Sequence, residues 1–250
     1  MDDVDVLVRP AQAAAAMTQL QTGGWKLARK YQKSAEDQIP LRHAADFVDD
    51  QNIKLDLHWN LLPGAGATMH EEELWERSVP LQIETVLTRA LGPADQLLHI
   101  CAHGARWNPI PPVRWVADAY MVARVSVSAL DWDCVTEQAI RREIAFPIHS
   151  MLLFLRDHFE QPVPQDYLDR LSVVPLTSRL KREYAAYARP NRVFGFMPAT
   201  YYDIGHRDNG AGIIRRVWNL ARYLQFEWDV PHLWGVPFVG LQRFYHRLRS

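Results

Sequence analysis

The hydrophobic period of this chain changes at Gly92-Pro93, and that change limits the fold more than any other feature. Before it, apolar residues alternate. Val4, Val6 and Val8 alternate with Asp3 and Asp5, and Leu55, Leu57 and Trp59 alternate with Asp56 and His58. A period of two is the mark of a strand with one face buried. After it, Leu97, Leu98, Cys101, Ala102 and Ala105 recur at helical spacing. Two periods in separate stretches predict an α+β protein, with a small mixed sheet first and a mainly helical domain behind it.

The local signals fill in this outline. Strands are expected over residues 3–8, 25–31 and 53–59, with 41–47 ambiguous. Pro10 and the alanine run to Leu20 predict a helix that Gly23-Gly24 ends. Glu36-Asp37 and Asp49-Asp50-Gln51-Asn52 read as turns. Residues 61–68 read as loop, 71–77 as a short helix, and 83–87 as a short strand or loop. Beyond Pro93, helices are expected over 114–125, from an Asp131 N-cap to about 142, and over 148–159, 165–171 and 178–187. Residues 190–210 look irregular, 213–226 amphipathic, and 238–248 helical. The expected domains are 1–90, 91–189 and a basic, aromatic-rich segment 190–250.

Composition narrows the function. Hydrophobic residues make up 48% of 250, enough for a real core, and the net charge is −1. That balance excludes a chain that binds nucleic acid over its whole surface. The charge is uneven, however: residues 181–250 carry 11 Lys/Arg against 5 Asp/Glu. Cys101 and Cys134 are too few for a disulfide framework and read as buried thiols. The acidic start is unlike a signal peptide, and no apolar run approaches a membrane span. A cytoplasmic location is expected.

The acids carry the chemistry. Asp3 and Asp5 share one strand face. If the strand holding Asp56 lies beside them, three carboxylates converge at one sheet edge. They repel one another and resist burial. A divalent cation relieves that cost, and Mg²⁺ prefers oxygen ligands together with substrate phosphates.

Several segments, in order, give this pattern a family resemblance. They are Asp3-Val4-Asp5-Val6-Leu7-Val8, Leu55-Asp56-Leu57-His58-Trp59, Leu97-Leu98-His99-Ile100-Cys101-Ala102-His103-Gly104, Arg114-Trp115-Val116-Ala117-Asp118 and Asp131-Trp132-Asp133. Over roughly residues 1–170 the chain resembles a poorly characterised branch of the polymerase-beta-type nucleotidyltransferase superfamily, bacterial proteins with a helical C-terminal half. The resemblance implies Mg²⁺ or Mn²⁺ at Asp3, Asp5 and Asp56, with a nucleoside triphosphate as substrate. It implies in-line transfer of a nucleotidyl group to a small-molecule or protein hydroxyl, releasing pyrophosphate. Two cations about 3.5–4 Å apart would stabilise the attacking and leaving oxygens. The superfamily also places a helix and a glycine-bearing, phosphate-holding turn before the acid pair. This sequence starts two residues before Asp3, so an N-terminally truncated domain is expected. A catalytically inactive binding or assembly module is the alternative reading, and a metal-dependent hydrolase is the third.

The remaining candidates have bland readings beside functional ones. His58 shares a strand face with Asp56 and is assigned to substrate contact or to ordering the carboxylate. Arg106 and Arg114 are assigned to phosphate, since guanidinium matches its geometry. Arg114 and Asp118 also suit an i,i+4 pair. His99 and His103 have zinc spacing but need a third ligand; packing at a domain junction is the simpler account. The arginines and aromatics of 190–250 suit single strands, an anionic membrane surface or a partner protein, while packed aromatics with solvated arginines are the plain reading. No stable nucleic-acid partner is expected.

Overall fold

The computed structural model describes residues 4–28, 34–62, 71–107, 113–125, 130–188, 200–202, 204 and 212–249; the side chains of 105–107, 187–188 and 247–249 lie outside the description. The chain divides into two compact units, residues 1–69 with 192–250, and residues 70–191.

The first unit opens with β1 (Val4–Leu7). A 3-10 turn at Pro10–Gln12 leads into α1 (Ala13–Thr22), followed by β2 (Lys26–Leu27), α2 (Ala35–Gln38), β3 (Ala44–Val48) and β4 (Lys54–His58). The sheet order is β1-β4-β3-β2. β1 runs parallel to β4, and the other two pairs are antiparallel. Alternation sorts the faces as a half-buried sheet requires. Ala45, Phe47, Leu57 and Trp59 join Ala13 and Met17 of α1 in one buried cluster, with Val6, Val8 and Leu55 packed against it. Asp5, Asp46, Asp56 and His58 therefore occupy the other face.

The register of this sheet is set in its turns. The Asp49 carboxylate accepts the backbone N–H of Gln51 at 2.9 Å and of Ile53 at 2.7 Å. Asn52 adopts a left-handed backbone, φ 63°, which asparagine tolerates better than most residues. This reversal sets Asp46 opposite Asp56 in the antiparallel β3–β4 ladder.

Three local expectations are corrected. Glu36-Asp37 is not a turn. It lies inside α2, whose N-cap Ser34 accepts the Asp37 N–H and whose hydroxyl donates to the Asp37 carboxylate. The second strand spans only Lys26–Leu27 within the described residues; 29–33 lie outside them. Residues 83–87 are the reversal of a hairpin between β5 (Val79–Ile83) and β6 (Val86–Ala90). Glu84 turns it with φ 52°.

The second unit holds α3 (Glu71–Arg77), that hairpin, and the helices α4 (Pro93–Trp107), α5 (Val113–Val125), α6 (Trp132–Arg141), α7 (Ala145–Phe159), α8 (Gln165–Ser172) and α9 (Ser178–Ala188). α4 is the hub, packing on α5, α6, α7 and α9. The expected stripe is buried at Leu97, Leu98, Cys101 and Ala102; the Ala105 side chain lies outside the description. Gly104 lets α4 and α5 approach closely, since a Cβ there would stand 2.8 Å from the Trp115 Cβ. Asp131 caps α6, its carboxylate accepting the Cys134 N–H at 2.9 Å. Burial pushes the Cys134 thiol up to about 11 and the Cys101 thiol higher still. Both are therefore protonated at neutral pH, and neither is a ready nucleophile.

Among the described residues, the most buried acid of this unit's ion pairs is Asp95. Arg77 grips Asp95 with two bonds of 2.8 Å each, from Nε and Nη2. The Asp95 side chain is 1% exposed and that of Arg77 is 30% exposed. The Asp95 hydrogen bonds raise the Arg77 pKa further above its ordinary value. Glu73 extends the network, accepting from Arg77 at 3.3 Å, Gln138 at 2.7 Å and Arg141 at 2.9 Å. The network thus ties α3 to the start of α4 and to α6. Removing one member of a buried pair strands its partner. Asp95→Ala is expected to cost about 2–3 kcal/mol, discounted because Arg77 still meets water. Denaturant unfolding checks this, and a loss below about 1 kcal/mol would contradict the clamp.

The C-terminal segment forms α10 (Ile213–Glu227), a 3-10 turn at Leu233–Gly235 and α11 (Val236–Arg249). Leu224, Val230 and Val236 make its buried cluster, with Tyr223 and Trp228 packed on it. Most of the expected irregular stretch 190–210 lies outside the described residues. Among the described residues, no helix is long and apolar enough to cross a membrane.

Candidate metal centre

Asp5 and Asp56 are direct neighbours across the parallel β1–β4 pair. Their carboxylates point away from the α1 face because Val6 and Leu57 occupy it. Adjacent strands lie about 4.8 Å apart, so two acids in register repel unless a proton donor or a cation intervenes. His58 is two residues along the same strand and shares that face. Its Nε2 lies 3.3 Å from Asp5 Oδ1. One ligand atom each from Asp5, Asp56 and His58 falls within 4.8 Å of the other two.

Burial is graded across this group. The His58 side chain is 13% exposed, whereas that of Asp5 is 59% exposed. The cluster is therefore open on the β1 side and walled on the β4 side. The His43 ring packs edge-on against His58 with centroids 5.5 Å apart. The backbone holds both in place: the Val8 N–H donates to the His58 carbonyl at 2.9 Å, and the Trp59 N–H to the His43 carbonyl at 2.9 Å. Trp59 then anchors the end of β4 from below, its indole N–H donating to the Arg42 carbonyl at 2.9 Å.

A further acid was missed by sequence reasoning. Asp46 lies opposite Asp56 on the far side of β4 from Asp5, so three acids form a row across β1, β4 and β3. Arg42 Nη2 stands 3.7 Å from Asp46 Oδ1, which offsets charge at that end of the row. The available signal was the alternation of Ala45 and Phe47 around Asp46.

The other sequence candidates are placed as follows. Asp3 lies outside the described residues, and so does the side chain of Arg106, which belongs to α4 in the second unit. Arg114 opens α5 in the same unit, with its guanidinium 5.3 Å from the centre of the Trp115 ring. His103 stacks on Trp115 with centroids 4.4 Å apart, and His99 meets His103 edge-on at 5.7 Å. Among the described residues, the His99–His103 pair gathers no third ligand, and Asp5, Asp56 and His58 form the one three-ligand grouping.

The donor set is two carboxylates and one imidazole. Carboxylates suit Mg²⁺ and Mn²⁺, and imidazole favours the softer of such ions. The residues present fit a divalent cation, and they fit Mn²⁺ at least as well as Mg²⁺. No curated protein and no solved structure matches the sequence. The family model described as an uncharacterised nucleotidyltransferase matches residues 1–160, a span that includes the whole four-stranded sheet with Asp5, Asp46 and Asp56, and most of the helical unit. The chain belongs to that uncharacterised nucleotidyltransferase family, and nucleotidyl transfer is the class of function that comes with it.

Proposed function

We propose that the chain transfers a nucleotidyl group from a nucleoside triphosphate to a hydroxyl acceptor, at the face carrying Asp5, Asp56 and His58. The in-register Asp5–Asp56 pair with His58 against it carries this reading. A divalent cation bound there would neutralise charge on the triphosphate and lower the pKa of the attacking hydroxyl.

The protein's own residues do the rest. Asp5 and Asp56 concentrate negative charge where the triphosphate needs a counter-cation, and Asp3 is the remaining acid proposed for this set. The acceptor oxygen attacks the α-phosphorus, the bond from that phosphorus to the bridging oxygen breaks, and pyrophosphate leaves. Asp56, midway along β4, takes the proton from the acceptor hydroxyl. His58 holds Asp5 by its 3.3 Å Nε2 contact, and with a cation bound the imidazole would instead offer a nitrogen lone pair to the ion beside the two carboxylates. Catalysis of this kind is positioning and charge stabilisation, with no covalent enzyme intermediate.

Pyrophosphate release tests the proposal. The protein is incubated with each nucleoside triphosphate, Mg²⁺ or Mn²⁺, and hydroxyl acceptors of small-molecule and protein type. Metal-dependent pyrophosphate with a stoichiometric nucleotidyl adduct is expected, faster with Mn²⁺ than with Mg²⁺. Release of inorganic phosphate alone, with no adduct, would show a hydrolase instead.

A further inference from the structure

The C-terminal helices carry more apolar surface than their local core covers. On α10, Leu220, Tyr223 and Leu224 pack toward the local core. Toward the start of α10 the same apolar face continues past that core through Ile213 and Val217 and widens to Ile214 and Trp218, and there it lies open, with Ile214 84% and Trp218 56% exposed. These residues and Ala221 line one wholly apolar groove. On α11, Val236 and Val239 pack inward, while Phe238 and Leu241 stand exposed.

Charge identifies what this surface suits. Between residues 213 and 249 the sequence has six arginines against Glu227 and Asp229. By helical spacing, Arg215 and Arg222 border the α10 stripe on its Trp218 edge. An open aliphatic stripe, a tryptophan at its margin and an arginine border is the pattern of a helix that lies in a lipid interface. Other occupants fit less well. Single strands need successive aromatic platforms, and the open stripe of α10 holds one, Trp218, among the aliphatic Ile213, Ile214 and Val217. A second copy would set one arginine-rich surface against another, and like charges at close range repel.

We infer that α10, with α11 beside it, docks on an anionic lipid surface. Apolar insertion of Ile213, Ile214, Val217 and Trp218 combines with attraction of Arg215 and Arg222 to acidic headgroups. This surface is separate from the Asp5–Asp56–His58 face, and the inference does not depend on nucleotidyl transfer.

Vesicle co-sedimentation of the full chain tests it. The probes are vesicles of phosphatidylcholine alone and of phosphatidylcholine mixed with phosphatidylglycerol. Binding to the mixed vesicles, weak binding to the neutral ones and loss at high salt are expected. Arg215→Gln and Arg222→Gln should each weaken binding about fivefold. Ile214→Asp with Val217→Asp should abolish it while leaving the thermal transition unchanged, because both positions are exposed. The arginine variants decide the matter if the aspartate pair disturbs folding. The inference is overturned by an absence of vesicle binding, or by binding that ignores these substitutions. Stripe-dependent dimerisation, or oligonucleotide binding without vesicle binding, would equally overturn it.

Discussion

Asp5→Asn and Asp56→Asn are each expected to lower metal-dependent pyrophosphate release by about a thousandfold, on the order of 4 kcal/mol in the barrier. The substitutions keep the shape of the side chain and remove its charge. The stabilisation of charge on the phosphoryl oxygens is lost with the cation, so the effect falls on turnover more than on folding. Stability should in fact hold or rise slightly, because Asp5 and Asp56 face each other across adjacent strands and one source of repulsion is removed. An assay of rate beside a thermal melt separates the two effects. A variant that melts early and loses activity in proportion would place these acids in the scaffold. Activity within tenfold of the parent would remove them from the chemistry.

Trp59→Ala is expected to cost about 4 kcal/mol. The Trp59 side chain is among the largest fully buried ones, and it packs with Phe47, Leu57 and Met17 beneath the acid face. Truncation leaves a cavity under β3 and β4 and deprives the Arg42 carbonyl of its indole donor. Trp59→Phe keeps most of the volume and should cost about 1–2 kcal/mol, mainly for that unsatisfied carbonyl. Because the chain has two compact units, a global melt can mix their transitions. Hydrogen exchange in peptides covering residues 44–59 reads the affected sheet directly. Protection there should fall sharply in the alanine variant, while peptides from α6 and α7 stay close to the parent. Uniform loss across both regions would contradict a local core role.

β4 was legible because Leu55, Leu57 and Trp59 alternate strictly with Asp56 and His58, and β1 because Asp3 and Asp5 alternate with Val4 and Val6 ahead of the apolar run Val6-Leu7-Val8. Val6 and Val8 pack inward around Asp5 and Leu7, and Leu55, Leu57 and Trp59 do so around Asp56 and His58. Adjacency of the two strands was an assumption in the sequence and is a parallel pairing in the structure. β3 was harder to read. Ala44 and Ala45 are both buried, so its alternation begins with a break that hides Asp46. Its register comes from the Asp49 and Asn52 turn, a hydrogen-bond geometry rather than a hydrophobic pattern. The β5–β6 hairpin shows the opposite difficulty. Leu81, Ile83, Val86 and Leu87 are all exposed, so there was no buried face to impose a period. In α2 the signal was present and misread: Ser34 followed three residues later by Asp37 is a capping pair.

The Arg77–Asp95 clamp marks a different limit. Asp95 is an acid in the first turn of α4, where the helix dipole favours one whatever its partner. Nothing in local spacing points to an arginine 18 residues earlier, beyond an intervening hairpin. Long-range ion pairs depend on tertiary placement. So does the role of His58: spacing puts it on the face of Asp56, but only the β1–β4 register brings its Nε2 to Asp5. The helical unit was legible for the reason that makes most helices so, an apolar stripe at regular spacing with caps such as Asp131 at its ends.

Mn²⁺ binding followed by electron paramagnetic resonance tests the central claim most directly. The parent protein should bind Mn²⁺ more tightly than Mg²⁺ and show coupling to an imidazole nitrogen. That coupling should vanish in His58→Ala, and binding should fall at least tenfold in Asp5→Asn and Asp56→Asn. Mn²⁺ bound with full affinity in all three variants, or no Mn²⁺ bound by the parent, would contradict the proposal that these side chains form one cation site.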